Sequence, residues 1–312
     1  MATSERVLRI GFIREHFSSP LLQLADEDAG KTFTLVECPS GTGQVISRLV
    51  NDEIDVAIAL TDPLLAGIIN GSSKGSYKLV GSYVMTPLNW AVVTGIKSKY
   101  ENLSQLEGTT IGISRIGSGS HTMANVMALQ QGWLDPSTGL VKKMEFKINN
   151  DIHGLNTSVN DDTTSAYMWE WFTTKPWADR GEVRFIGSVP TPWPSWMIAA
   201  HPSQDRAPTQ AVISFLERLT GFVRAFDSAE ARSAANVEFI KERFGYPEAD
   251  IKAWLGTVKY TADTREIRQS VIHETIKVLG QTGFIPSNTN TSANEYVDEK
   301  VCKLVTSANP DA

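Results

Sequence analysis

Apolar positions along the chain fall into two spacings: short unbroken runs, and stripes three or four residues apart. Val7-Leu-Arg-Ile-Gly-Phe-Ile, Phe33-Thr-Leu-Val-Glu-Cys and Ile54-Asp-Val-Ala-Ile-Ala-Leu have strand length and β-branched character, and predict buried strands. Between the first two, Arg14-Glu-His-Phe-Ser reads as a loop. Ser19-Pro20 then supplies an N-cap and first helical turn, Leu21, Leu22, Leu24 and Ala25 the apolar face, and Gly30 the stop. Val45, Ile46, Leu49 and Val50 stripe a second helix, turned by Asn51-Asp-Glu into the third strand. This strand–helix–strand spacing is that of a right-handed parallel crossover. Thr61-Asp-Pro starts a short helix with Leu64, Leu65, Ile68 and Ile69, closed by Asn70-Gly71, and Tyr77–Tyr83 and Trp90–Thr94 are further strands.

The polar stretch Lys97–Gly108 predicts a crossing into a second lobe. That lobe opens with a strand over Thr109–Ser114, a small-residue turn Gly117–Ser120, and a helix starting near Ser120. Met123, Val126, Met127 and Gln130 sit at helical spacing, and Gly132 is the expected C-cap. Met144–Ile148 and Val183–Gly187 read as strands, whereas Asp151–Trp177 is aromatic and irregular. Pro190-Thr-Pro-Trp-Pro-Ser-Trp is too proline-rich for a helix or a central strand, and Met197-Ile-Ala-Ala is expected to return the chain to the first lobe. Helices are expected near 209–227, 229–244, 248–255 and 264–281, with a frayed polar tail after Thr306. The predicted organisation is therefore α/β, with residues 1–95 and 198–312 in lobe one and 96–197 in lobe two.

Composition narrows the partners. The 312 residues are 41% hydrophobic and 21% charged, enough for a sizeable core, and the net charge of −6 carries no basic block. Nucleic acid and anionic membrane surfaces are thereby disfavoured. The apolar run Ile54–Ile69 is interrupted by Thr61, Asp62 and Pro63 and cannot span a bilayer, so no membrane insertion is expected. The first residues lack an apolar secretory core, and Cys38 and Cys302 lie far apart with no Cys-x-x-Cys, which predicts a cytoplasmic protein.

Two Gly/Ser turns carry the candidate chemistry. Ser118-Gly-Ser-His121 and Ser40-Gly-Thr42 each sit between a strand and a helix, where backbone N–H groups and the helix dipole favour an anion or polar head. The plainer alternative is a turn that needs glycine only for its backbone angles. Neither is a Walker loop or G-x-G-x-x-G, and no G-x-S-x-G or His pair at metal-ligand spacing occurs. Arg14 and Arg115 could add charge-assisted hydrogen bonds or simply lie on the surface, and His16 and His121 fall on the same loops. Asp161-Asp162 and Glu170 suggest paired carboxylates, though turn and cap roles suit Asp-Asp-Thr-Thr better. Trp169 and Trp193 are the indoles best placed to stack on a planar ligand, with lobe packing as the general alternative.

The order of pieces resembles the type II periplasmic-binding-protein superfamily. The residues that carry it are Asn51-Asp-Glu-Ile-Asp-Val-Ala-Ile-Ala, then Leu106-Glu-Gly-Thr-Thr-Ile-Gly-Ile with Gly117-Ser-Gly-Ser after it. The branch is that of sulfonate- and thiamine-precursor-binding proteins and thiamine-pyrimidine synthases. Asp162-Thr-Thr-Ser-Ala-Tyr-Met-Trp-Glu-Trp-Phe-Thr-Thr-Lys-Pro and Thr191-Pro-Trp-Pro-Ser-Trp look closest to a small cytosolic yeast-type family of that fold with no settled function. The resemblance covers about residues 6–285. It implies two lobes, each a mixed sheet flanked by helices, a two-strand hinge, C-terminal helices on lobe one, and a ligand held in an interlobe cleft by loops at strand C-terminal ends. The residues expected to hold it are Arg14, Glu15, His16, Ser40, Gly41, Thr42, Thr61, Trp90, Ser118, Gly119, Ser120, His121, Asp162, Trp169, Glu170 and Trp193. No catalytic group, metal or cofactor is expected, because no catalytic constellation or metal-ligand spacing occurs, and the missing cysteine-rich motif argues against synthase chemistry. The expected function is to bind a planar or anionic small molecule, pyrimidine-, thiamine-precursor- or aromatic-acid-like. An enzyme of thiamine-pyrimidine synthesis, with His16 or His121 reacting, and a ligand-sensing regulatory module are the alternatives.

Overall fold

The structure, a computed structural model, describes residues 6–70 and 73–306. The expected glycine stop at Gly71 and the tail after Thr306 lie outside the described residues. Met1–Thr86, Trp193–Glu274 and Thr291–Ala312 make one compact unit; Pro87–Pro192 and Thr275–Asn290 make the other.

The first unit opens as predicted. Strand β1 (Leu8–Phe12) leads through a 3-10 turn (His16–Ser18) to helix α1 (Ser19–Asp28). Ser18 rather than Ser19 occupies the cap position, and Pro20 lies in the first turn, where its missing N–H costs nothing. Ala29 and Gly30 leave the helix through left-handed backbone. Strand β2 (Phe33–Glu37), helix α2 (Thr42–Val50), strand β3 (Val56–Leu60), helix α3 (Thr61–Ile69) and strand β4 (Lys78–Val84) follow. Every residue of β3 is buried, as its unbroken apolar run requires of a strand covered on both faces.

The second unit contains β5 (Asn89–Gly95), β6 (Thr110–Ile113), α4 (Gly119–Gln130), β7 (Glu145–Ile148), α5 (Ile152–Asn160), β8 (Ala166–Glu170), α6 (Trp171–Asp179) and β9 (Val183–Pro190). Its sheet order is β7-β6-β8-β5-β9, with β6 parallel to β7 and β8, and β5 antiparallel to β8 and β9. One face packs α5 and α6 onto a core of Ala91, Val93, Leu155, Val159, Tyr167 and Val183, flanked by Trp169, Trp171, Trp177 and Phe185. Asp151–Trp177 is thus regular, against expectation. Asp151 caps α5 by accepting from Gly154 N, and Glu170 caps α6.

The chain then returns as β10 (Trp196–Ala200), which completes the first unit's sheet in the order β2-β1-β3-β10-β4. Strands β1, β2 and β3 run parallel, and β10 is antiparallel to β3 and β4. Helices α7 (Thr209–Asp227), α8 (Ala229–Ser233), α9 (Ala235–Phe244) and α10 (Glu248–Leu255) follow. After them come β11 (Glu266–Arg268), α11 (Gln269–Gln281) and β12 (Lys303–Val305). Residues 264–268 were expected to be helical, but β11 pairs in parallel with β12, a pairing no local pattern announces. The unit boundaries also differ from those read in the sequence. Strand β5 pairs only within the second unit and β10 within the first, so the chain crosses at Thr86–Pro87 and Pro192–Trp193. Thr275–Asn290 joins the second unit, which composition did not suggest. Among the described residues, no helix is long and apolar enough to cross a membrane.

Candidate functional site

In each sheet, parallel strands deliver their following loops to one edge, the usual place for ligands in open α/β sheets. On the first unit's edge stand Arg14, Glu15 and His16 after β1, Ser40, Gly41 and Thr42 after β2, and Thr61 after β3. Antiparallel β10 begins at the same edge, Trp196 opposite Leu60, which brings Trp193 there too. Several of these groups are committed to the fold. Thr61 donates its hydroxyl to Pro194 O (2.6 Å) and its amide to Ser195 O (3.0 Å), and Thr42 Oγ1 accepts from Leu60 N. Exposed Arg14 reaches Arg243 O (3.3 Å), in the last turn of α9, and lies over the Phe244 ring. Gly41 does need its freedom, since φ is +80° at the α2 cap.

His16 is 1% exposed, against Phe17 (4.5 Å between centroids), Trp254 (4.5 Å) and Tyr246 (5.2 Å). Burial pushes its pKa down to about 3, so the ring is neutral at physiological pH and no proton acceptor there. Tyr246 and Trp254 come from segments far along the chain, and nothing near His16 in sequence foretells them.

The second unit's edge is built around α4. Ser118 is its N-cap: Oγ accepts from His121 N (3.3 Å), donates to Arg115 O (2.8 Å) and lies 2.9 Å from Ser120 Oγ. Ser120 Oγ also accepts from Ser114 N (3.1 Å), a partner the sequence reading missed. The hydroxyls are thus engaged with one another and with backbone. What the turn presents is the first-turn amides of Gly119 and Ser120, whose N–H groups have no acceptor within the helix. His121 Nδ1 accepts from Gly117 N (3.2 Å), its ring packs on Phe146 and Phe284, and burial lowers its pKa.

Strand pairing adds two more groups. Trp90 on β5 lies directly opposite Glu170 on β8, so their side chains share one face of the sheet. The neighbouring pair Ala91 and Trp169 points to the opposite face, onto the α5/α6 core. Trp169 is therefore a packing residue. Asp162 sits before β8, at the other end of the sheet, exposed and with φ of +58°. Glu170 is 4% exposed; Oε2 accepts from Thr173 N (2.6 Å), and burial raises its pKa to about 7 despite that bond. The indole Nε1 of Trp90 is buried and has no hydrogen-bond partner among the described residues. The structure thus gathers Trp90, Ser118, Gly119, Ser120, His121 and Glu170 at one edge, and leaves Asp162 and Trp169 away from it.

A family model described as Ca3427-like PBP matches residues 90–189, from the start of β5 to the end of β9. The structure is similar to that of the Candida albicans CA3427 gene product, described as exhibiting the generic periplasmic binding protein fold. The TM-score is 0.82 and the identity 27%, covering 96% of this chain and 98% of that one. The chain has the periplasmic-binding-protein fold. Within that fold it is also similar to an alkanesulfonate-binding protein from Xanthomonas axonopodis pv. citri bound to MOPS, with TM-score 0.72, 16% identity and coverage of 98% and 100%. A nitrate-binding protein from Synechocystis gives a TM-score of 0.70 at 14% identity, covering 96% of this chain and 88% of that one. At such identities these two show the fold alone. No curated protein matches the sequence.

Proposed function

We propose that this periplasmic-binding-protein-fold chain binds a small planar molecule with an anionic or acceptor-rich head, at the α4 edge of its second unit. The observation that carries the reading is the buried indole N–H of Trp90, left without an acceptor opposite Glu170, at the sheet edge from which α4 starts. A buried donor without a partner costs about 1–3 kcal/mol, and a ligand oxygen would remove that cost. The first-turn amides of α4 supply further donors and a favourable dipole. Glu170, with a pKa near 7, donates when protonated and repels an anion when ionised. Aromatic acids, aryl sulfonates and pyrimidine-type rings, including thiamine precursors, fit these demands. The sulfonate and nitrate ligands named for two fold neighbours are theirs, and agree with an anionic head. A reducing, cytoplasmic setting goes with this reading, since both cysteines are buried free thiols.

Isothermal titration with benzoate, p-toluenesulfonate and uracil at pH 6 and pH 8 tests it. At least one probe should bind saturably, the two anions more tightly at pH 6. Trp90→Phe, which keeps a ring and removes the N–H, should weaken binding about tenfold, the worth of one hydrogen bond. No binding by any probe, or an unchanged affinity in the variant, would overturn the proposal.

A further inference from the structure

A depression in the same unit lies where α5 meets α6, on the face of the sheet opposite Trp90. Its volume is about 470 Å3. His153, Asn156 and Asn160 line it from one face of α5, at the three- and four-residue spacing that puts side chains in a row. Trp177 of α6 meets His153 edge-on at 5.1 Å and forms the aromatic wall. Thr157, Asp161 and Glu182 complete the lining, which includes no lysine or arginine.

The informative group is Asn156. It is 7% exposed, and its Oδ1 accepts the hydroxyl proton of Tyr167 from β8. Its Nδ2 is buried with no hydrogen-bond partner among the described residues. Buried amides are ordinarily satisfied, so a lone donor lining a depression calls for an acceptor from outside the chain. The rest of the lining is already fixed. Asn160 Nδ2 donates to Asn156 O (3.0 Å) and Glu182 O (2.9 Å), and Arg180 pairs with Glu182 while covering Trp177. Asp161 accepts from the Thr163 amide and hydroxyl, bonds that favour its charged form. One wall is thus aromatic on the side Arg180 leaves open, and one buried donor faces no acceptor. Arg180 answers the charge of Glu182, which leaves Asp161, without an ion-pair partner among the described residues, as the negative charge at the rim.

We propose that this depression is a second binding site, for a small planar cation carrying a carbonyl oxygen. The carbonyl accepts from Asn156 Nδ2, the ring lies against Trp177 and His153, and the positive charge sits toward Asp161. The class is that of N-alkylated heteroaromatic carboxamides. This site differs in charge and place from the Trp90 edge, and does not depend on it.

The test uses the full chain, 15N-labelled, titrated with 1-methylnicotinamide and, separately, with nicotinate, its anionic counterpart. The Asn156 side-chain NH2 signals should move saturably with 1-methylnicotinamide and not with nicotinate. Asp161→Asn, an exposed substitution that keeps the Thr163 bonds available, should weaken binding about threefold, the worth of one solvated charge pair. Trp90→Phe should leave it unchanged, which separates this proposal from the one above. No saturable shift at millimolar probe, or equal binding of nicotinate, would overturn it.

Discussion

Replacing Glu170 with glutamine isolates the cost of a buried carboxyl at the α4 edge. The side chain is 4% exposed, and burial lifts its pKa from the ordinary 4.5 to about 7. At 1.36 kcal/mol per unit, that shift corresponds to about 3 kcal/mol. The sign follows from proton binding. Between pH 4.5 and 7 the folded chain holds a proton that the unfolded chain has released, so the stability present below pH 4.5 is lost as pH rises through 7. Glutamine has no proton to lose and keeps an acceptor oxygen for Thr173 N, so the α6 cap survives. Chemical denaturation of both proteins from pH 4 to 8 should show the variant gaining on the wild type by about 3 kcal/mol, with most of the change between pH 4.5 and 7. A difference that stays constant across the range would refute the reasoning, because Glu170 would then titrate as an exposed side chain does.

Two further expectations concern the elements that carry the edges. Asp55 is fully buried, and although burial favours its neutral form, bonds from Arg9 (2.8 and 3.1 Å, and 2.9 Å from its amide) and Arg206 (3.0 Å) outweigh this and lower its pKa. Asp55→Asn should cost about 3 kcal/mol at pH 7 by denaturation; wild-type stability should fall as pH drops below 3.8 through the lowered value, a loss the variant does not share. Ser118→Ala removes the α4 cap and the hub between Arg115 O, Ser120 and His121 N, and should lower stability by about 1–2 kcal/mol in the same assay.

Much of the first unit was legible because its rules are local. The β-branched runs at 7–13 and 54–60 and the caps near Ser18 and Gly41 each specify their own element, and the crossover spacing then fixes parallel pairing. The turn at Ser118 was legible for the same reason, strand to cap to helix. What depends on distant pairing was not. Trp90–Thr94 reads as a strand but says nothing about which sheet takes it, so the crossing was expected after β5 instead of before it. Tyr246 and Trp254 reach His16 only through the tertiary fold, and the alignment of Trp90 with Glu170 follows from antiparallel register. Trp169, chosen for stacking, lost to a parity rule: one residue from Glu170, it must point to the other face.

The most direct measurement of the central claim is the indole N–H resonance of Trp90, assigned by its disappearance in Trp90→Phe. On titration with p-toluenesulfonate and benzoate at pH 6, the account predicts a saturable downfield shift of this resonance as its proton gains an acceptor. A Trp90 signal that stays in place while a probe binds elsewhere, or that does not respond at millimolar probe, would contradict it.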